Sequence, residues 1–167
     1  MSGIKQKTAL ITGASSGIGK ETAIKFAQHG YQVALTSRNK TNLESTRKKI
    51  TENKNECLLL PLDLSQEKNI KKCIDETIAS FQRLDVLVNA AGIIGSGSVE
   101  TTELNDWDYM MNINLRSVFL LMKLAVPHLK KTKGSIINVS SVTGLRAFPG
   151  ILSYCVSKAG VDQLTRC

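Results

Sequence analysis

Aromatic side chains are scarce in this sequence and make up only 5% of its residues. The formal net charge is nonetheless +8, with basic clusters such as Arg47-Lys48-Lys49 and Lys71-Lys72. Surfaces that bind nucleic acids usually interleave aromatic and basic side chains, because bases stack on aromatic rings. We therefore expect no nucleic-acid partner and interpret most of these clusters as solvated helix faces. An acidic partner or a phosphorylated ligand is compatible with the charge.

Long apolar runs and cysteine pairs are also missing. The longest apolar run, residues 118–126, is interrupted by Lys123, so we predict no membrane span. No charged and apolar leader precedes the first strand, which predicts no signal peptide. The four cysteines form no C-x-x-C pair and have no nearby histidines at metal-ligand spacing. We expect reduced, mostly buried thiols, no disulfide, no metal and a cytoplasmic location, with a mitochondrion or another organelle as the alternative.

Short apolar stretches typical of strands alternate with segments of helical periodicity along the whole chain. Strands are predicted at residues 8–12, 31–36, 57–62, 84–88 and 135–139. Long helices are predicted at residues 102–128 and 150–167, and shorter ones follow the first three strands. Near-continuous apolar strands that alternate with helices predict an α/β fold with a parallel sheet covered on both faces. We expect residues 1–167 to form a single domain.

The third helix has the clearest periodicity, because side chains suited to the core recur at i, i+3, i+4, i+7, i+8 and i+11 from Ile70 to Phe81. Ser65 precedes this segment and is predicted to be its N-cap, since a serine hydroxyl can accept a hydrogen bond from a free N–H group in the first turn.

The first strand is followed directly by the glycine-rich segment Thr12-Gly13-Ala14-Ser15-Ser16-Gly17-Ile18-Gly19. Gly13 permits a tight turn, Gly17 lets the backbone approach a pyrophosphate, and Gly19 allows close helix packing. The N-terminus of the following helix offers free N–H groups and the positive end of the helix dipole. The segment therefore predicts a phosphate-binding site.

Two other readings of the glycine-rich segment are less favoured. Its spacing does not accommodate the P-loop pattern, which argues against a nucleoside triphosphatase. Residues 13–17 do satisfy the G-x-S-x-G nucleophile elbow of hydrolases. In such hydrolases several strands precede the elbow, whereas only one strand is predicted before it here.

The end of the second strand lacks the acidic residue that commonly binds the ribose 2′-hydroxyl of NAD. Ser37 and Arg38 stand there instead, and an arginine at this place accommodates a 2′-phosphate. The pattern favours NADP(H), and the alternative is an arginine that only faces solvent.

Tyr154 and Lys158 are four residues apart in the last predicted helix. This spacing places both side chains on one helix face, where the ammonium can stabilise the phenolate. Free tyrosine titrates near pH ~10, and a nearby cation lowers that pKa, which makes the phenol a usable acid or base. For the pair alone, a partly buried ring beside a solvated charge is the alternative interpretation.

Together these motifs resemble the short-chain dehydrogenase/reductase family, in order and over the whole chain. The matching positions are residues 12–19, Asp63, Asn89-Ala90-Ala91-Gly92, Asn114, Ser141, Tyr154 and Lys158. Ala90 departs from the family's usual asparagine, which puts a side-chain contact at that position in doubt but not the backbone turn. Ser140 is the alternative to Ser141, which lies at the family's spacing of thirteen residues before the tyrosine.

The resemblance implies a role for each catalytic residue. Ser141 would hydrogen-bond the substrate oxygen, Tyr154 would pass a proton to or from it, and Lys158 would lower the tyrosine pKa and hold the nicotinamide ribose. Asn114 would bind a water that relays protons to Lys158. The cofactor is expected to contact Gly13, Ser15, Ser16, Gly17, Ile18, Gly19, Ser37, Arg38, Asp63, Leu64, Asn89, Ala90, Ala91, Gly92, Tyr154 and Lys158.

The family resemblance also implies a Rossmann-type doubly wound sheet and an NADP(H)-dependent oxidoreductase, with NAD(H) less favoured. The motif set looks most like the 3-oxoacyl carrier-protein reductase type. The expected substrate is a small carbonyl, alcohol or acyl thioester, and the full-length chain is expected to form a homodimer or homotetramer. Because the sequence stops within the Tyr154 helix, we expect a chain that lacks the family's last strands and is inactive and prone to aggregate alone. The alternative is a non-catalytic dinucleotide-binding regulatory or scaffold protein.

Overall fold

The computed structural model describes residues 6–51 and 57–167. Its strands are β1 (Thr8–Thr12), β2 (Gln32–Ser37), β3 (Cys57–Pro61), β4 (Val86–Asn89) and β5 (Ser135–Asn138). Its helices are α1 (Gly17–Gln28), α2 (Lys40–Thr51), α3 (Glu67–Phe81), α4 (Leu104–Met111), α5 (Ser117–Thr132) and α6 (Leu152–Arg166). This succession confirms the predicted alternation of strands and helices.

The five strands form one parallel sheet in the order β3-β2-β1-β4-β5. The chain moves outward from β1 to β3 and then returns to the other side of β1 to add β4 and β5. Strand order therefore reverses between β1 and β4, and loops on opposite sides of that point diverge to leave a crevice at the carboxyl ends of the strands. The predicted Rossmann-type fold is confirmed.

Helices cover both faces of the sheet because successive side chains of each strand point to opposite faces. Leu10 of β1 packs with the cluster that α3 and α5 complete, and its neighbour Ile11 packs with the cluster that α1 and α2 complete. All five residues of β1 are buried, as expected for the central strand of a parallel sheet. Each fully buried leucine or isoleucine contributes roughly 1.5–3 kcal/mol relative to exposure.

The N-cap predicted for the third helix is wrong. Gln66, rather than Ser65, occupies the N-cap position of α3, and its side chain makes no capping hydrogen bond. The Ser65 backbone N–H instead donates to Asp63 Oδ1 at 3.0 Å. A short side chain with a carboxylate acceptor favours this kind of local turn, which delays the start of the helix.

The long helix predicted at residues 102–128 is divided in the structure. A π-helical segment, Asn112–Arg116, separates α4 from α5. The predicted end at residue 128 is also wrong, since α5 continues to Thr132. It ends where Lys133 adopts a φ of 54° and Gly134 N–H donates to the Leu129 carbonyl. The left-handed conformation of Lys133 lets the Gly134 N–H group donate to a carbonyl of the last turn that would otherwise lack a partner.

Residues 84 and 85, predicted to begin the fourth strand, lie in the loop before it. Strand β4 begins at Val86 rather than at residue 84, because Asp85 joins the start of β1 to the loop before β4. Its Oδ2 atom accepts hydrogen bonds from Thr8 N–H at 2.9 Å and from Arg83 Nε at 2.7 Å. Burial by itself would raise the pKa of Asp85, but these hydrogen bonds and the Arg83 charge outweigh it and hold the pKa below its usual range.

The four cysteines are unpaired and differ in exposure. Cys73 is buried, Cys57 and Cys155 are half-buried, and Cys167 is exposed, so the expectation of mostly buried thiols holds only for Cys73. Burial raises the pKa of both Cys57 and Cys73 to about 12. Within residues 6–51 and 57–167, no group of three or more His, Cys, Asp or Glu side chains is placed to hold a metal ion. No helix in the same ranges combines the length and apolar character needed to cross a membrane.

Candidate active site

A cavity of about 420 Å³ lies at the carboxyl ends of β1, β2, β3 and β4. Its walls contain most of the residues predicted to bind a cofactor. These are Gly13, Ser15, Ser16, Gly17, Ile18, Gly19, Ser37, Arg38, Asp63, Leu64, Ala90, Ala91 and Gly92. The cavity thus lies where the sheet topology places ligand sites in open α/β proteins.

Four residues of the cavity wall were missed by sequence reasoning. Asn39, Leu62 and Ile93 directly flank predicted site residues, and this adjacency could have identified them. Ile113 belongs to the π-helical segment and comes from a different part of the chain. Only its place beside Asn114 could have suggested it.

The turn after β1 shows why glycine is needed at two positions. Gly13 has a φ of +66°, and a Cβ there would lie 2.8 Å from the Ala90 carbonyl oxygen. A Cβ at Gly19 would lie 2.7 Å from the Gly13 carbonyl carbon. These contacts confirm the tight turn and the close helix packing predicted for the two glycines.

The N-terminus of α1 lies at the cavity with its first turn uncapped by a side chain. Ser16 is the N-cap residue and makes no side-chain capping hydrogen bond. The first turn also contains no acidic residue. Free N–H groups and the positive end of the helix dipole therefore face the cavity, as an anion such as a pyrophosphate requires.

Thr12 holds the loop after β4 against the end of β1. Its buried Oγ1 atom accepts hydrogen bonds from the backbone N–H groups of Ala90 and Ala91, each at 3.0 Å. The loop is held through its backbone, so alanine at position 90 keeps the turn. Sequence reasoning included Thr12 in the glycine-rich segment but gave it no role, because its partners lie 78 and 79 residues further along the chain.

Asn89 does not line the cavity, although it was predicted to bind the cofactor. Its side chain is buried and donates a hydrogen bond of 2.8 Å from Nδ2 to Asn138 Oδ1. Asn138 Nδ2 donates in turn to Thr165 Oγ1 at 2.9 Å. Asn89 thus joins β4 to β5 and, through Asn138, to α6.

Tyr154 and Lys158 share one face of α6, as predicted. The Lys158 Nζ atom lies 5.8 Å from the centre of the Tyr154 ring. Lys158 is only 6% exposed, and its Nζ donates a hydrogen bond of 2.7 Å to the Val139 carbonyl at the end of β5. Burial lowers the pKa of Lys158 below its ordinary value, and the nearby Asp162 charge opposes this effect.

Gly92 brings Lys158 close to the cavity wall. Tyr154 and Lys158 do not line the cavity themselves, but Gly92 does. A Cβ added at Gly92 would lie 3.8 Å from Lys158 Nζ and 3.4 Å from Asn114 Oδ1. The lysine, the asparagine and the cavity therefore meet at one small residue.

Asn114 is buried in the π-helical segment, and its amide is committed to protein partners. Its Oδ1 accepts from Ile93 N–H at 2.9 Å, while Nδ2 donates to the Ile93 carbonyl at 2.9 Å and lies 3.0 Å from Ser157 Oγ. The amide thus fixes the loop after β4 to α6. The water-binding role of Asn114 stays a prediction.

The two candidate serines point to different partners. Ser140 Oγ lies 3.4 Å from the Lys158 carbonyl and faces the helix backbone. Ser141 Oγ accepts a hydrogen bond of 3.2 Å from Thr143 N–H and caps the short 3₁₀ turn Val142–Gly144. The Ser141 hydroxyl hydrogen makes no bond to any residue of the described ranges, so it is free to donate.

Two oxidoreductases are similar to this chain over almost all of its length. The 3-oxoacyl-[acyl-carrier-protein] reductase FabG of Thermotoga maritima is 38% identical over 98% of this chain and 67% of its own length. The meso-2,3-butanediol dehydrogenase of Serratia marcescens is 34% identical over 96% of this chain and 63% of its own length. The chain thus spans about two thirds of the length of these relatives.

A solved structure and a family profile also match this chain. The structure of carveol dehydrogenase from Mycobacterium avium in complex with NAD superposes with a TM-score of 0.92 and 27% identity, over 98% of this chain and 64% of that one. The family profile described as short chain dehydrogenase matches residues 7–167. With this match and the relatives above, the chain belongs to the short-chain dehydrogenase family.

Proposed function

We propose that the protein is an NADP(H)-dependent oxidoreductase that interconverts a carbonyl group and a secondary alcohol, with Tyr154 as the general acid and base. One observation carries this proposal: a buried ammonium lies between a phenol and the wall of the cavity. Lys158 Nζ lies 5.8 Å from the Tyr154 ring centre, and a Cβ added at Gly92 of the cavity wall would lie 3.8 Å from the same Nζ.

The cavity residues fit a dinucleotide with a 2′-phosphate. The uncapped first turn of α1 suits the pyrophosphate, and Gly13 lets the chain turn without a side chain in the way. Arg38, at the end of β2, supplies a positive charge where a 2′-phosphate would lie, and Asp63 supplies an acceptor for the adenosine half. When bound, the nicotinamide supplies or accepts the hydride.

Protein side chains perform the proton transfer. In the reducing direction the Tyr154 hydroxyl gives its proton to the substrate oxygen, and in the oxidising direction the phenolate takes that proton back. The Lys158 ammonium, held by the Val139 carbonyl, stabilises the phenolate by its charge. Ser141 donates its free hydroxyl hydrogen to the substrate oxygen and thereby orients it.

The relatives favour a 3-oxoacyl thioester among the possible substrates. Proteins from Thermotoga maritima and Staphylococcus aureus that carry the name 3-oxoacyl-[acyl-carrier-protein] reductase are 38% and 36% identical to this chain. The net charge of +8 also suits a substrate attached to an acidic carrier.

A deuterium-transfer experiment tests the proposal. The full-length protein is incubated with NADPH deuterated at the transferable position of nicotinamide C4 and with a 3-oxoacyl thioester, a diketone or a simple ketone. We expect a mass increase of about one unit in the alcohol product, with the deuterium on the new carbinol carbon. Binding of NADPH without transfer to any carbonyl would contradict the enzymatic proposal and support the non-catalytic dinucleotide-binding alternative.

We also propose that the protein self-associates through α4 and α5. Leu104 and Phe119, on these two helices, are 78% and 47% exposed. Large apolar side chains on adjacent elements are typical of surfaces that pack against a second chain.

A further inference from the structure

A tyrosine on α4 contacts the arginine that follows β2, across 71 residues of sequence. Arg38 Nη1 donates a hydrogen bond of 2.7 Å to the Tyr109 hydroxyl oxygen. Arg38 lines the cavity from the side of β2, and Ile113, four residues after Tyr109, lines it from the side of the π-helical segment. The hydrogen bond therefore joins two walls of one cavity at its exposed rim.

The contact leaves the arginine charge uncompensated. No carboxylate in residues 6–51 and 57–167 forms an ion pair with Arg38, whereas Arg83 and Arg116 each have one. A phenolic hydroxyl is a neutral acceptor, so it orients the guanidinium without cancelling its charge. A guanidinium has five N–H groups in a planar fork, and those not used on Tyr109 can still reach an anion.

Anchoring the guanidinium matters because a free arginine side chain samples many rotamers. Fixing them when a ligand binds costs conformational entropy, and an existing hydrogen bond reduces that loss. Tyr109 is itself 40% exposed, but the adjacent Met110 is buried and holds α4 against the rest of the protein. The backbone at Tyr109 is therefore held in place, and the tyrosine hydroxyl gives Arg38 an acceptor on that helix.

We propose that Tyr109 is a positioning residue for cofactor selection. It holds the Arg38 guanidinium at the cavity rim, where the 2′-phosphate of NADPH accepts hydrogen bonds from it. This inference rests on the proposed function, which assigns the cavity to a dinucleotide. Since NADH has no 2′-phosphate, the effect of Tyr109 falls on the ratio of the two affinities and not on dinucleotide binding in general.

Tyr109→Phe tests this inference because it removes one hydroxyl and keeps the ring. Titration of NADPH and NADH fluorescence gives the two dissociation constants. We expect the constant for NADPH to rise about three- to ten-fold, as for the loss of one hydrogen bond, and the constant for NADH to change by less than about two-fold. Tyr31→Phe is the matched control, because Tyr31 packs edge-on against Phe26 and does not line the cavity. Loss of the Tyr31 hydroxyl should change neither dissociation constant.

A double-mutant cycle with Arg38→Ala shows whether Tyr109 acts through the arginine. We expect Arg38→Ala to remove the preference for NADPH, and Tyr109→Phe to have no further effect in that background. An equal loss in both backgrounds, or tighter NADPH binding by Tyr109→Phe alone, would overturn the inference. If Tyr109→Phe leaves the ratio of the two affinities unchanged, the inference about Tyr109 is also overturned. A preference of the unsubstituted chain for NADPH would in that case still support the proposed function. A folded chain that binds neither NADPH nor NADH would contradict both the inference and the proposed function.

Discussion

At the scale of single residues, the site depends on side chains whose neighbours change what they can do. Lys158 is the clearest case, since the residue is only 6% exposed, burying an ammonium is costly, and one backbone carbonyl accepts a hydrogen bond from its Nζ. A solvated lysine would cost the fold less, which supports the catalytic role proposed for Lys158. Arg38 is exposed, and its guanidinium has a neutral partner in Tyr109 that leaves its charge uncompensated.

In the full-length protein, Tyr154→Phe should abolish turnover and leave dinucleotide affinity within a few-fold. The ring is retained and the proton donor is lost, and general acid–base catalysis contributes roughly 10²–10⁴-fold. The measurement is kcat for carbonyl reduction together with the NADPH dissociation constant. Retention of more than about a tenth of the original kcat would contradict the role of Tyr154.

Arg38→Asp should move the cofactor preference from NADPH towards NADH. A carboxylate repels the 2′-phosphate and can accept a hydrogen bond from a 2′-hydroxyl. The ratio of the two dissociation constants, measured in the variant and the unsubstituted chain, reports the change. Equal affinities in the unsubstituted chain would show that Arg38 does not select for a 2′-phosphate.

At the scale of elements, two tethers hold the carboxyl and amino ends of the central strands. Thr12 ties the carboxyl end of β1 to the loop after β4, and Asp85 ties the amino end of β1 to the loop before β4. In both tethers a side chain accepts hydrogen bonds from backbone N–H groups that have no partner in a neighbouring strand. At the cavity end of the sheet, the Thr12 hydrogen bonds fix the loop after β4 in addition to apolar packing.

Thr12→Val should lower the free energy of unfolding by about 1–3 kcal/mol and weaken dinucleotide binding. The variant keeps the side-chain shape but leaves the N–H groups of Ala90 and Ala91 without their acceptor. Urea unfolding and NADPH titration provide the measurements. Thr12→Ser retains the hydroxyl and should stay close to the original on both; an equally large loss in Thr12→Ser would assign the effect to the methyl group.

Asp85 should make the stability of the fold depend on pH in the acid range. Its pKa is lower in the folded state than in the unfolded chain, so its contribution is present above the unfolded pKa of about 3.9 and is lost as the pH falls through the folded pKa. Urea unfolding at neutral pH and near pH 3 measures the loss. Asp85→Asn should show a smaller difference between the two pH values, and an identical difference would contradict this assignment.

At the scale of the whole molecule, the described sheet ends in β3 on one side and β5 on the other. Ile137 of β5 is 44% exposed, so an apolar side chain lies at an edge, where natural sheets usually have protection. Apolar side chains also remain on the outer faces of α4 and α5. The exposed side chains of α4 and α5 are thus suited to contact with another chain.

Phe119→Lys should reduce self-association without unfolding the protein. The side chain is about half exposed, so a lysine there is solvated in the single chain but is buried and unpaired in an interface. Light scattering after size-exclusion chromatography measures the mass, and circular dichroism checks the fold. Lys130→Ser, a change at an exposed residue of the same helix, should keep the original mass; an unsubstituted chain that is monomeric would contradict the proposed self-association.

Much of this protein was determined by local sequence. Apolar runs of strand length and the clear periodicity of α3 predicted the alternating elements, because side chains that leave water follow the period of the element that buries them. The glycine segment and the four-residue spacing of Tyr154 and Lys158 predicted the site for the same reason, since turn geometry and helix phase are set by neighbouring residues.

Only the tertiary structure decided which distant residues meet. Three contacts join residues that are 49 to 79 positions apart in the sequence. They are the hydrogen bonds from the loop after β4 to Thr12, the Asn89–Asn138 hydrogen bond that keeps Asn89 outside the cavity, and the Arg38–Tyr109 hydrogen bond. The π-helical segment that brings Ile113 to the cavity also has no signature in the local pattern. Such contacts depend on how elements pack across the sheet. Side-chain type and spacing along one element do not indicate which residues of another element will lie beside it.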